Sequence, residues 1–176
     1  MHPTEIRDVL KTFKIIVDSR EQPNERALKR YKAFECPWER QKLDYGDYSA
    51  AVYDPDKGCD VYFDNLFVIE RKMSIDELCQ CYTHDRDRFV REFERADLDG
   101  AKIYLLVEDA TWERFYAGKY RSRMQPQSLI GSTLAWLARY KCQVVFCRQE
   151  TSGKLIHDIL YREVREWLER KCEDGG

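Results

Sequence analysis

Apolar runs of strand length alternate with helical stripes along this chain, and charged residues cut each run short. Lys14-Ile-Ile-Val17 is β-branched and reads as a buried strand, ending in Asp18-Ser-Arg-Glu21. Asn65–Lys72, Ala101–Glu108 and Gln143–Cys147 repeat the pattern. Pro23 and Asn24 open a helix through about Tyr31, and Ser74 with Glu77 three residues on has the pattern of a helix start with a capping box. Helical stretches follow at about Arg86–Ala96, at Pro126–Tyr140 (apolar at Leu129, Ile130, Leu134 and Leu137) and at Lys154–Lys171. Residues around Trp38–Leu43 read as extended. Tyr45-Gly-Asp-Tyr48 turns into a strand through Tyr53, and Asp54-Pro-Asp-Lys-Gly58 is a hairpin turn. The later β-α-β-α order places helices against a central mixed β-sheet, so the expected class is α/β.

The totals narrow the field further. At 176 residues, 43% hydrophobic and 35% charged, the chain suits one globular domain, expected over 13–172, with 1–12 and 173–176 loose. The apolar runs fall far short of a membrane span of roughly 20 residues, and the polar Met1–Lys11 segment does not resemble a secretory leader, so a cytoplasmic place is expected. The seven cysteines include no CxxC pair and read as free thiols. A net charge of −2 argues against a surface coated for nucleic acid, but it leaves room for a local basic path beside an acidic site.

The chemistry concentrates in Phe67-Val-Ile-Glu-Arg-Lys72. Alternate residues of a strand share a face, so Glu70 and Lys72 point one way and Arg71 the other. Asp47 follows Gly46 just before the preceding strand. If the intervening hairpin lies antiparallel beside Phe67–Lys72, Asp47 reaches Glu70. Two carboxylates then converge on one hard cation, with an ammonium at its rim. That arrangement suits Mg²⁺ and phosphodiester hydrolysis. Lys72 would position or deprotonate water, or neutralise developing charge. A blander reading stands beside this one: Glu-Arg-Lys is also how an ordinary strand leaves a core, and Gly-Asp marks turns generally. Asp18, at a strand end, either lines a site or caps a helix.

Val17-Asp-Ser-Arg-Glu21, Leu43-Asp-Tyr-Gly-Asp-Tyr48 and Ile69-Glu-Arg-Lys72 followed by Asp76 stand in an order that resembles the nuclease domain of XPF-type structure-specific endonucleases, over about residues 13–170. The resemblance implies a restriction-endonuclease-like core binding Mg²⁺ or Mn²⁺ near Asp18, Asp47 and Glu70, with Lys72 assisting. It implies that Arg71 and Asp76 support the site as an ion pair, with Glu21 an outer member. The family's arginine after the signature corresponds to Arg88, or less well to Arg86. Family members usually carry a tandem helix-hairpin-helix module after this domain; none follows here, so DNA targeting is expected to come from elsewhere. Their nuclease domains tend to pair, and the Lys154–Lys171 stripe (Leu155, Ile159, Leu160, Val164, Trp167, Leu168) would serve a homodimer or partner protein, or else pack on its own sheet.

DNA contacts are expected from Lys119, Arg121 and Arg123, beside Phe115 and Tyr116, and from Arg20 of the first motif. Arg26, Lys29, Arg30 and Lys32 form a second basic cluster. Both would make sequence-blind phosphate contacts. The expected function is a metal-dependent endonuclease for branched, flap or single-strand–double-strand junction DNA. The alternatives are a non-catalytic DNA-binding or scaffold subunit and an interaction protein without a nucleic-acid role.

Overall fold

A computed structural model describes residues 3–174. The chain runs through α1 (Pro3–Leu10), β1 (Lys14–Asp18), α2 (Glu25–Lys32), β2 (Trp38–Gln41), β3 (Tyr48–Asp54), β4 (Cys59–Tyr62) and β5 (Phe67–Lys72). It continues through α3 (Ile75–Tyr82), α4 (Arg86–Leu98), β6 (Lys102–Glu108), α5 (Trp112–Tyr116), α6 (Pro126–Arg139), β7 (Cys142–Cys147) and α7 (Gln149–Asp174). The seven strands form one mixed sheet in the order β2-β1-β3-β5-β6-β7, with β4 also paired to β3. β1, β3 and β5 are antiparallel neighbours, whereas β5, β6 and β7 run parallel. Parallel neighbours need crossovers, and α3 with α4, then α5 with α6, supply them.

Helices cover both faces of the sheet. On one face Leu78 of α3, Phe89 and Phe93 of α4 and Trp136 of α6 bury against Val68, Leu105 and Val107. The Phe89 and Trp136 rings stack at 5.6 Å. On the other face, Tyr31 of α2 and Ile156, Leu160, Val164 and Leu168 of α7 bury against Ile15, Val17, Tyr48, Ile69 and Leu106. The long C-terminal stripe therefore packs mainly on its own sheet, leaving Leu155, Ile159 and Trp167 half-buried at its flank. Where α7 crosses α2, a Cβ on Gly153 would stand 2.5 Å from the Arg30 carbonyl oxygen. Only glycine permits that approach, and it seats α2 against the sheet.

Two local expectations change. Within the stretch expected to be loose, Pro3–Leu10 is a helix whose Ile6, Val9 and Leu10 are buried. Their i, i+3, i+4 spacing makes one apolar face, and contact with α7 and β3 stabilises a helix too short to persist alone. Met1 and His2 lie outside the described residues. At the other end α7 runs on to Asp174, while the rest of the expected tail, 175–176, lies outside them. The helix start at Ser74 is as expected, with Ser74 Oγ accepting from the Glu77 amide at 3.2 Å. Glu77 reaches back one residue further than a reciprocal box would, accepting from the Met73 amide at 2.7 Å. Among the described residues no helix is long and apolar enough to cross a membrane.

Candidate active site

Gly46 sets the geometry. Its φ of +72° is left-handed, and an added Cβ would stand 2.8 Å from Val68 Cβ on β5. The missing side chain lets the turn before β3 press directly onto β5. There the Asp47 amide donates to the Ile69 carbonyl at 2.8 Å, and Tyr48 pairs with Ile69. Residues opposite one another in antiparallel strands share a face. Since Tyr48 and Ile69 face α7, Asp47 and Glu70 both face α3 and α4, and Lys72 joins them two residues on. The hairpin is thus antiparallel and adjacent, as the sequence reading required. Asp18 comes to the same face from β1, its amide donating to the Asp47 carbonyl at 2.8 Å.

The electrostatics of this face are unbalanced. Asp47 Oδ2 accepts the Arg71 amide at 2.7 Å. Burial, reinforced by the neighbouring Glu70 carboxylate, nevertheless pushes its carboxyl up to about 8. Glu70, 5% exposed, is also raised by burial, although Lys72 opposes the shift. Lys72 makes an ion pair with Glu70 Oε1 and sits 5.0 Å from the centre of the Phe89 ring. Burial works against its ammonium, but Glu70 and Asp47 outweigh burial and the group is raised, so it stays charged. Glu70 and Lys72 open into a cavity of about 410 Å³ that Asp76, Arg88, Glu92 and Arg121 also line.

Asp18 is 4% exposed, and its carboxylate is engaged by Arg20, whose Nε donates to Oδ2 at 2.6 Å. Among the described residues no group of three carboxylate, histidine or cysteine side chains is gathered closely enough to hold a metal ion by itself. Asp47 and Glu70 are the pair that converges. Arg20 answers Asp18 while remaining half-exposed.

The expected ion pair between Arg71 and Asp76 does not form, because they lie on different faces. Alternation along β5 sends Arg71 through to the α2 and α7 side, where its Nη1 meets Glu108 Oε2 at 3.2 Å and its Nη2 lies 3.7 Å from Glu21. Asp76, in the first turn of α3, instead accepts the amides of Arg121 and Ser122 at 2.8 and 2.6 Å. Glu21, expected as an outer member of the metal site, belongs instead to this rear network. It takes hydrogen bonds from Tyr31 and Tyr48 hydroxyls at 2.6–2.7 Å and an ion pair from Arg30. Arg30 is therefore no surface cation: it is 6% exposed and also donates to the Tyr48 hydroxyl at 2.8 Å. The other three, Arg26, Lys29 and Lys32, remain exposed on α2, with Lys29 paired to Glu25 and Arg26 donating to Gln149.

Of the two arginines weighed on α4, Arg88 lines the cavity, whereas Arg86 lies over the Trp136 ring at 5.3 Å. Lys119, Arg121 and Arg123 are all exposed, and Arg121 reaches the cavity. Sequence reasoning missed Glu92, whose Oε1 accepts the Gly46 amide at 2.9 Å and whose charge helps raise Glu70. The available signal was its position one helical turn after Arg88. It also missed Glu108 as the acid that answers Arg71. Glu108 ends β6, and only the parallel register that pairs Arg71 with Leu106 reveals the match.

The sequence matches the family model of the ERCC4 domain over residues 17–159. No curated protein sequence matches the chain. Among solved structures, XPF from Aeropyrum pernix is similar with a TM-score of 0.59 and 14% identity, over 85% of this chain and 61% of that one. A structure titled as XPF from Aeropyrum pernix in complex with DNA is similar with a TM-score of 0.58 and 16% identity, over 87% of this chain and 65% of that one. The chain thus spans under two thirds of those structures, and at such identities the likeness concerns the fold, which is α/β and restriction-endonuclease-like. The family model covers most of the sheet together with the Gly46–Asp47 turn and the Glu70–Lys72 strand, and on that match this chain belongs to the ERCC4 domain family.

Proposed function

We propose that the protein is a divalent-metal-dependent DNA endonuclease that hydrolyses phosphodiester bonds, acting on branched, flap or single-strand–double-strand junction DNA. One observation carries the reading: Asp47 and Glu70 converge on one face of β5, raised by burial, with a charged lysine held against them. A structural ion pair would balance its charges, whereas this site keeps one carboxylate more than its lysine answers. Two hard carboxylates fit Mg²⁺ or Mn²⁺, which is commonly held by one or two protein carboxylates, with water and phosphate oxygens completing the set. When bound, such an ion supplies Lewis acidity at the scissile phosphate and acidifies an attacking water.

The chain's own residues do the rest. Asp47 and Glu70 supply the ligating oxygens, with Asp18 a third carboxylate on the same face. The Arg71 amide fixes the Asp47 rotamer through its bond to Oδ2. Lys72, paired with Glu70, would stabilise charge developing on the phosphate. Phe89 and the apolar floor below it limit water around the ammonium. Arg88 and Arg121 at the cavity wall offer charge to flanking phosphates. Neither presents a pattern suited to reading bases.

The purified protein is expected to nick flap or splayed DNA when Mn²⁺ is added. Asp47→Ala and Lys72→Ala are expected to abolish nicking while circular dichroism and melting remain those of a folded protein. Persistence of cutting in both variants would mean the site lies elsewhere. Binding without metal-stimulated cutting would identify a non-catalytic DNA-binding subunit. A role in repair, recombination or replication, and a second subunit that targets the DNA, belong to the same proposal.

A further inference from the structure

The segment between α5 and α6 is short on regular structure but heavily tied down. Exposure alternates along it: Lys119, Arg121 and Arg123 face solvent, whereas Tyr120, Ser122 and Met124 are half-buried. Tyr120 and Met124 pack against the core beneath the site. Arg114 Nη2 donates to the Lys119 carbonyl at 3.2 Å, the Tyr120 hydroxyl to the Met124 carbonyl at 2.8 Å, and the Met124 amide to Ser122 Oγ at 3.2 Å. The three outward cations are therefore carried on a prefolded rail.

What places this rail is Asp76. One oxygen, Oδ1, accepts both the Arg121 and the Ser122 amides, at 2.8 and 2.6 Å, and Oδ2 stands 3.5 Å from Arg121 Nε. Asp76 and Arg121 line the same cavity as Glu70 and Lys72. The Arg121 side chain is 94% exposed, so its ion pair with Asp76 adds little to stability. The two backbone bonds are the stronger feature, being charge-assisted and fixed in direction. They hang the basic segment on α3, one turn from the strand that carries the catalytic residues.

We propose that Asp76 is a positioning residue: by holding the backbone of Arg121 and Ser122 it mounts Arg121 at the cavity wall, with Lys119 and Arg123 exposed on the same held segment, so that the three grip phosphates of the cut strand beside and beyond the scissile bond. The inference rests on the endonuclease reading and adds to it a surface, a partner chemistry and a role for Asp76 away from the reacting atoms. A polyanionic strand leaving Glu70 and Lys72 on this side passes three cations, and the held backbone means they need no ordering on binding. This is why the acid need not meet Arg71.

The test uses the whole chain on a fluorescent splayed DNA duplex. Kinetics are measured with Mn²⁺, and affinity by anisotropy across salt in the non-cutting Asp47→Ala background. Asp76→Ala is expected to raise KM about tenfold, far more than it lowers kcat, and to speed amide exchange at Arg121 and Ser122. Asp76→Asn keeps an oxygen for both amides, so its KM should return to within about twofold of the parent. The triple variant Lys119→Ala, Arg121→Ala, Arg123→Ala changes only exposed side chains. It should raise KM similarly and reduce the slope of log affinity against log salt by about 2. If Asp76→Ala does not fold, the triple variant and Asp76→Asn decide. An unchanged KM and salt slope in the triple variant overturns the mounting role while leaving the endonuclease reading intact. A kcat loss in Asp76→Asn as deep as in Asp47→Ala overturns it too, because Asp76 would then act at the reacting atoms. A parent protein that neither cuts nor binds DNA sinks both readings.

Discussion

The two faces of β5 solve the same charge problem in opposite ways. On the rear, Arg30 and Arg71 meet Glu21 and Glu108, two cations for two anions, with the Tyr31 and Tyr48 hydroxyls also donating to Glu21. On the front, Asp47, Glu70 and the nearby Glu92 crowd together, with Lys72 paired to Glu70 and with Arg88 and Arg121 further out on the cavity wall; burial first, and neighbouring carboxylates second, raise both Asp47 and Glu70. Three successive residues, Glu70, Arg71 and Lys72, feed both arrangements because a strand alternates sides. The rear is a balanced and almost dry network that holds the sheet. The front carries a charge imbalance beside a cavity, which is where a cation and a phosphate would find complementary partners. The difference teaches that burial alone does not mark the site; uncompensated burial does.

The largest expected effect comes from emptying the front. Asp47→Ala, Glu70→Ala and Lys72→Ala should each lower kcat about 10³-fold or more, roughly 4 kcal/mol of transition-state stabilisation. Asp47→Ala should do so with little loss of thermal stability, whereas Lys72→Ala and Glu70→Ala, which leave a buried partner unpaired, should also melt lower while still folding. The measurement is single-turnover cleavage in Mn²⁺ alongside a melting curve. If Lys72→Ala instead unfolds the protein and leaves specific activity intact, the contrast between the faces is wrong.

The rear should respond in the opposite sense. Glu108→Ala removes the nearer of Arg71's two acids and leaves Glu21 alone to answer both Arg71 and Arg30. Breaking a buried ion pair from one side costs about 3–5 kcal/mol. Urea denaturation should show that loss, whereas kcat per folded molecule should fall far less than in the front variants. Glu108 Oε1 lacks a hydrogen-bond partner among the described residues, so this carboxylate is held by charge more than by bond count. Glu108→Gln should then recover only part of the stability. Gly46→Ala sits between the two faces. It forces a non-glycine residue into a left-handed turn at about 1–2 kcal/mol, and it drives a methyl against Val68. Both stability and cleavage should drop, because the same close approach holds the sheet and aims Asp47.

Much of this contrast was legible in the residue order. The strand boundaries, the turn at Gly46 and the split of Glu70 and Lys72 from Arg71 follow from alternation and glycine's conformational range, which are local rules. What local rules could not reach were partners chosen by sheet register and by helix docking. Arg30 looked like one of four surface cations on α2, and only the approach of α7 at Gly153 and the seating of α2 bury it. Asp76 looked like a mate for Arg71 on the strength of the resemblance, but the sheet stands between them. The helix at Pro3–Leu10 was missed because eight residues offer too little periodicity to outweigh their polarity.

The smallest effect is the sharpest test of imbalance. In metal-free protein the ionised Asp47 carboxylate is penalised on folding, since its folded value, about 8, lies above its ordinary value of 3.8. The penalty is complete above about pH 8, shrinks as pH falls toward 4, and is absent below the unfolded value. Asp47→Asn, whose amide oxygen can still accept the Arg71 amide, should therefore be more stable than the parent at pH 8 to 9, by about 1–3 kcal/mol. It should lose that advantage in acid. Adding Mg²⁺ or Mn²⁺ should raise the melting temperature of the parent and barely move that of Asp47→Asn, because a cation relieves the same repulsion that the substitution removes. A variant stabilised by losing its carboxylate, yet unable to cut, would show that the front face gives up stability to hold a cation. Equal melting of the two proteins at pH 8 to 9 under chelation would mean the front is as well balanced as the rear.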